Sequence, residues 1–202
     1  MVKQLAPLYL ASQSPRRREL LAQLGWDARV IPLEGEWVDE TPLAREAPRD
    51  YVLRLARAKA EAGWRRREAL ALPPGLVLGA DTTVSIDGLI LGKPRDADEA
   101  RHMLRRLSGR MHEVHTGVAL TDGTRTHALC STSRVWFAAL EEGDIERYLA
   151  TGEPWDKAGA YAYQGRAAAF IERIEGSASG IVGLPLYETA RLLSVFGYPP
   201  FP

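Results

Sequence analysis

Three consecutive arginines, Arg16 to Arg18, follow Ser14 and Pro15 in "ASQSPRRREL". Serine then proline predicts a helix N-cap and its first helical position. The first turn of a helix already carries partial positive charge, so arginines there cost about 0.3 to 1 kcal/mol each unless an anion sits beside them. Helical spacing sets Arg16 below Leu20 and Arg17 below Leu21, on the stripe expected to be buried, and turns Arg18 to solvent. Two guanidinium groups beside free helix amides suit a phosphate, although a run of solvated surface arginines has the same sequence. The second run, Arg65 to Arg67, has no cap or turn beside it and reads as surface.

Asp81 in "LGADTTV" follows an apolar run and two small residues, which places a carboxylate at or near the end of a buried strand. Ligands collect at strand ends in open α/β sheets, and a carboxylate there can hold a divalent cation or orient a water; a turn or cap aspartate is the alternative. Lys59 falls on the apolar stripe of a helix, where it must reach out to solvent or meet an anion. Lys93 follows "GLILG", which is not a phosphate loop, because the glycine spacing is short and proline stands where serine or threonine should be. Glu36, Asp39 and Glu40 crowd one loop, as magnesium or manganese ligands or as a solvated acidic patch. His112 and His115, three apart on a strand, point to opposite faces and do not make a metal pair. "WDKAGAYAYQG" sets Asp156, Lys157, aromatic residues and Gln164 together, a combination able to read a pyrimidine edge and equally common in plain loops.

The elements that must position these groups follow from pattern and punctuation. "LYLAS" is a strand that enters the helix at Pro15, which stops at Gly25; "ARVI" is a second strand. A helix runs from about Pro48 to Leu70. Asp87-Gly88 and Asp122-Gly123 each join two strands, with a helix "DADEARHMLRRLSG" between the hairpins. A helix near 142 to 151, a strand at "AAFIERIEG" and a helix from about Pro185 to Val195 complete the pattern. These elements predict one α/β unit over residues 1–202, a mixed, twisted sheet flanked by helices, with room for two lobes around a cleft.

Lysine plus arginine and aspartate plus glutamate each number 26. A neutral chain gives no reason to expect nonspecific nucleic-acid binding, so phosphate recognition must be local. The lone Cys130 excludes an intrachain disulfide and fits the cytoplasm, and no apolar run is long enough for a membrane span or signal peptide.

Together, "ASQSPRRREL", "VDETP", "YVLRLARAKA", "GADTTV", "LGKPRDADEA", "SGRMHEVHTGVAL", "EPWDKAGAYAYQG" and "VGLPLYET" resemble, in order and over almost the whole chain, the Maf family of nucleoside triphosphate pyrophosphatases, once described as septum-formation inhibitors. "DKAGAYAYQG" is similar to the branch acting on dTTP and UTP, differing at Ala162 and Tyr163. The resemblance implies a fold like that of inosine triphosphate pyrophosphatases, a divalent cation (magnesium or manganese), a cytoplasmic location and a homodimer. It also implies that Asp81 is the general base and a metal ligand with Glu40, and that Arg16, Thr82 and Gln164 set base specificity. Ser12, Arg17, Lys59, Lys93 and Lys157 complete the substrate site by the same resemblance. The alternatives are the same chemistry on 7-methyl-GTP or another non-canonical nucleotide, and a non-catalytic nucleotide- or nucleic-acid-binding regulator of division.

Overall fold

The computed structural model describes residues 5–33 and 38–202. Strand β1 (Leu8–Leu10) is followed by helix α1 (Pro15–Gln23), β2 (Arg29–Val30), the long helix α2 (Pro48–Ala69), β3 (Leu76–Ile86) and β4 (Leu89–Leu91). Then come α3 (Ala97–Leu107), β5 (Met111–Thr121), β6 (Thr126–Phe137), α4 (Glu142–Leu149), short 3-10 turns, β7 (Ile171–Glu175), α5 (Ala178–Val182) and α6 (Leu186–Val195). The strands form one sheet in the order β2-β1-β3-β5-β6-β7, with β4 also on β3. Only the β1–β2 and β1–β3 pairs are parallel; the others are antiparallel, so the sheet is mixed, with helices packed against it as the pattern predicts.

Local chemistry accounts for the hairpins. Asp87 and Gly88 both take positive φ, 54° and 74°, and Ile86 faces Leu89 across the turn, the left-handed pair whose twist matches that of the strands.

The period of two in β3 and β5 sorts the core. Leu76, Leu78 and Ala80 of β3, with Val118 and Leu120 of β5, pack against α1 and α6. Farther along the same face Val84, Ile86 and Val114 belong to a second cluster with α3 and α4. Between them lie Thr82 and Thr116, cross-strand partners whose hydroxyls are 2.9 Å apart. The opposite face carries α2. There a Cβ on Gly79 would stand 2.4 Å from the Ala60 nitrogen, and one on Gly117 would stand 2.3 Å from the Val52 carbonyl oxygen. The helix backbone thus rests on the sheet, with Ala56 and Ala60 against Ala119, and this sets the depth at which Lys59 leaves the helix. We expect Gly79→Ala to lift α2 and lower stability by about 1–3 kcal/mol, the usual cost of overpacking a filled core, read as a drop in thermal midpoint; an unchanged midpoint would show that the helix can move freely.

Two local expectations are corrected, and a third is met without its usual hydrogen bond. Arg67 is not a surface residue: it is buried, its guanidinium lies 4.2 Å from the Trp64 ring, and it donates to the Leu72 carbonyl at 2.7 Å, closing the chain after the helix. Ser14 occupies the N-cap position of α1, but its hydroxyl makes no capping bond; its backbone N–H instead donates to Ser12 Oγ at 3.2 Å. The strand expected at "AAFIERIEG" begins only at Ile171, because residues 166 to 170 coil as a 3-10 turn.

Candidate active site

Asp81 lies in the middle of β3, not at its end. The physical reason is a change of partner. On one edge β3 pairs with β1 through Leu76–Leu78 and with β4 through Val84–Ile86, which leaves Asp81 between the two, just beyond the carboxyl end of the parallel pairing. A continuous strand therefore still presents a cavity-lining carboxylate where α/β sheets gather ligands. Its side chain faces α2.

Lys59 meets anions on both sides. Its Nζ stands 2.7 Å from Asp81 Oδ1 and 2.6 Å from Glu40 Oε1, while only 14 % of its side chain is exposed. Burial raises the Asp81 pKa above the ordinary carboxylate value, although Lys59 and Arg17 pull the other way. Glu40 shows the opposite balance: burial pushes it up, but the hydrogen bond and charge of Lys59, aided by Lys93 and Arg17, hold it below the usual range. Two neighbouring carboxylates are thus driven in opposite directions, the deeper one held above the ordinary carboxylate value and the outer one below it.

The first helix supplies the next wall. Arg17 donates from Nε to the Gly183 carbonyl at 2.9 Å, from Nη1 to Ser12 Oγ at 3.1 Å and, at 3.5 Å, from Nη2 to Thr82 Oγ1. All three acceptors are neutral, and among the described residues no carboxylate stands within ion-pair distance of Arg17, so its charge is oriented without being cancelled. Burial lowers its pKa, opposed by Asp81 and Glu40. Thr82 in turn meets Thr116, which donates to the Gly180 carbonyl at 2.7 Å. Arg16 is half-buried on the rim, and Arg18 is exposed, as the helical spacing predicts.

Residues 152–165 form the remaining wall. Gly159 (φ 69°) and Ala160 (φ 60°) are both left-handed, and the Gly159 N–H donates to the Gly92 carbonyl at 3.0 Å, tying this wall to the turn that carries Lys93. Tyr161 is fixed from below by His112, whose Nε2 is 2.8 Å from the phenol oxygen. Burial alone pushes the His112 pKa down to about 4, so it stays neutral at physiological pH. Lys157 pairs with Asp156, and Gln164 is exposed toward the cavity.

Asp81, Thr82, Lys59, Glu40, Arg16, Arg17, Lys93, Lys157 and Gln164 all line one cavity of about 550 Å³, within the range of small-molecule sites. Ser12 is buried behind this wall, where it orients Arg17. Among the described residues the acidic loop contributes Glu40 and not Asp39. Asp39 turns away to accept from the Thr41 N–H at 2.9 Å, and Glu36 lies outside the described residues. His112 and His115 are on opposite faces, the latter between Ser85 and Thr132 at 3.0 Å each. Among the described residues no cluster of three or more acidic, histidine or cysteine side chains forms a metal cage. Sequence reasoning missed Tyr51, which lines the cavity, and Gly183, whose carbonyl orients Arg17. Tyr51 precedes Lys59 by about two helical turns, a spacing that marks it; Gly183 follows α5, a helix whose serine cap in "GSASG" was legible and was not read as one.

Comparison with known proteins bears on this geometry. The family described as Maf-like protein matches residues 7–196. A protein of Aromatoleum aromaticum named dTTP/UTP pyrophosphatase is 55 % identical over 200 residues, covering 96 % of this chain and 97 % of its own length. A Chromobacterium violaceum protein of the same name is 52 % identical over 191 residues, 95 % of each chain. Among solved structures, the Staphylococcus aureus Ham1 protein is similar with a TM-score of 0.47 at 13 % identity, over 94 % of this chain and 97 % of that one.

Proposed function

Because the chain belongs to the Maf family and its relatives are named dTTP/UTP pyrophosphatase, we propose that it is a nucleoside triphosphate pyrophosphatase that hydrolyses dTTP and UTP to the monophosphate and pyrophosphate. The observation that carries the reading is the Lys59 ammonium joined to Glu40 and Asp81 on the wall of a cavity that also holds Arg17 and Lys93. Water attacks the α-phosphorus, Asp81 Oδ accepts its proton, and the bond from the α-phosphorus to the bridging oxygen breaks toward pyrophosphate. Arg17, Lys59, Lys93 and the amides opening α1 offset the charge on the phosphates, so catalysis is mainly positioning and electrostatics.

The donor set fits a hard divalent cation. Two carboxylates of separate elements already converge on a cation, Lys59 Nζ, and oxygen-only donors are what magnesium and manganese take, with phosphate oxygens completing the shell. Glu40 and Asp81 would hold it. Bound there, such a cation supplies Lewis acidity toward water and phosphate. The same reading treats residues 1–202 as one catalytic unit, a cytoplasmic homodimer with a link to arrest of division, on the strength of the family resemblance. Among the described residues no helix is long and apolar enough to cross a membrane.

The test is pyrophosphate release from dTTP, UTP, CTP, GTP, ITP and 7-methyl-GTP, with magnesium, with manganese and with chelator. Metal-dependent release from dTTP and UTP is expected; release from a purine nucleotide alone would reassign the substrate, and none from any would favour a regulator. Gln164→Ala should change the ratio of dTTP to CTP hydrolysis by about tenfold, the worth of one hydrogen bond to a base edge, with less effect on the maximal rate. Equal losses on every nucleotide would remove Gln164 as a reader of the base.

A further inference from the structure

Glu40 stands on a loop, and its side chain is 55 % exposed, yet its carboxylate is held within 2.6 Å of Lys59. What holds it is one turn of α2. The Tyr51 hydroxyl donates to the Glu40 carbonyl at 2.9 Å. Arg54, three residues on, donates from Nη2 to the Thr41 carbonyl at 3.1 Å and from Nη1 to the Asp39 carbonyl at 3.4 Å. Three successive carbonyls around Glu40 are thereby captured by two side chains of the helix that also carries Lys59.

Arg54 is itself locked. Its Nε and Nη2 meet the two oxygens of Glu46 at 2.6 and 2.7 Å, and Glu46 Oε2 accepts the Leu43 N–H at 3.0 Å. The planar guanidinium spreads five donors over three nitrogens and so spans a carboxylate and two carbonyls at once; the three N–H groups of lysine leave from one nitrogen and cannot reach all of them. The contact of Asp39 with the Thr41 N–H is local and exposed and does not tie the loop to the sheet.

We propose that Tyr51 and Arg54 are positioning residues that clamp the backbone of residues 39–41 so that Glu40 meets Lys59 and Asp81 in register. The proposal rests on the function given above, since it assigns the clamp to that reaction. Neither side chain takes part in proton transfer; both act through Glu40.

The test is a double-mutant cycle with Glu40→Gln, reading kcat and KM for dTTP, joined to amide hydrogen exchange over residues 41–46. Arg54→Lys is expected to lower kcat about tenfold, since displacing a catalytic group by an ångström costs up to two orders of magnitude, and to speed exchange over 41–46. Tyr51→Phe, which removes one hydroxyl and leaves the packing, should lower kcat roughly threefold, a loss of one hydrogen bond. In the Glu40→Gln background each further loss should shrink to less than about twofold, with KM little changed throughout. Equal losses in both backgrounds, or unchanged kcat or exchange in Arg54→Lys, would overturn the clamp. If Arg54→Lys does not fold, the cycle with Tyr51→Phe decides by the same criterion. An active wild type with unaffected variants sinks the clamp and leaves the function standing; a wild type that releases no pyrophosphate sinks the function, and the catalytic role of the clamp with it.

Discussion

Asp81→Asn is expected to lower kcat on dTTP by roughly 10³-fold, inside the range that loss of a positioned base produces, while nucleotide binding persists. The substitution keeps the volume of a side chain that is buried at 7 % exposure, and its amide oxygen can still accept from Lys59, so the arginine and lysine walls stay in place. Proton acceptance is what disappears. Because burial holds the Asp81 pKa above the ordinary carboxylate value, the wild-type rate should rise with pH along an acid limb that lies above that value, as the carboxyl loses its proton. The limb should vanish in the variant. Calorimetric binding of dTTP with the cation withheld, set beside the pH profile of kcat, separates the two effects. Wild-type turnover in Asp81→Asn would remove Asp81 as the base.

Lys59→Met carries the second large effect, because it acts on activity and stability together. Lys59 is the common partner of Glu40 and Asp81; Glu40 is open to water, but removing Lys59 strands the buried Asp81 carboxylate, at a cost of about 3 kcal/mol. Activity on dTTP should fall by about 10²-fold or more, since a cation facing the phosphates is lost and the two carboxylates repel. The pH dependence follows from the causes at Asp81. Burial and Glu40 raise its pKa while Lys59 lowers it, so without Lys59 the folded-state pKa moves further above the unfolded value. A raised acid binds more protons folded than unfolded, so stability falls as pH rises from the unfolded pKa through the folded one. The deficit of Lys59→Met against wild type should therefore be small near pH 4 and full near pH 8, read by urea unfolding at both. Equal deficits at the two pH values would show that Asp81 is not the group left unpaired.

Much of this protein is legible from neighbours a few residues apart. Leu20 and Leu21 in α1 and Ala100, Met103, Leu104 and Leu107 in α3 announce their buried faces by helical spacing, and Asp87-Gly88 announces its hairpin by a left-handed pair. Lys59 stands out for the same reason, as a charge on an apolar stripe. These signals depend on a residue and its own turn or strand, which one sequence carries in full. The motif resemblance adds the substrate class and gathers residues from Ser12 to Gln164 into one site.

Other features depend on what the chain meets after it folds. Arg17 is oriented by the carbonyl of Gly183, 166 residues away, and Arg67, read as surface, is sealed against Trp64 and the chain beyond the helix. Asp81 owes its place to β3 changing partner from β1 to β4, a matter of pairing and not of composition. Of the acidic residues near position 40, Glu40 faces Lys59 while Asp39 turns back on its own loop, and Tyr51 and Arg54 bind the carbonyls of residues 39 to 41. By itself the sequence determined which elements form and which charges are out of place, since periodicity and turn chemistry act over a few bonds. Tertiary structure alone decided which charge faces which, because those distances are set by the close packing of α2 on the glycines of the sheet.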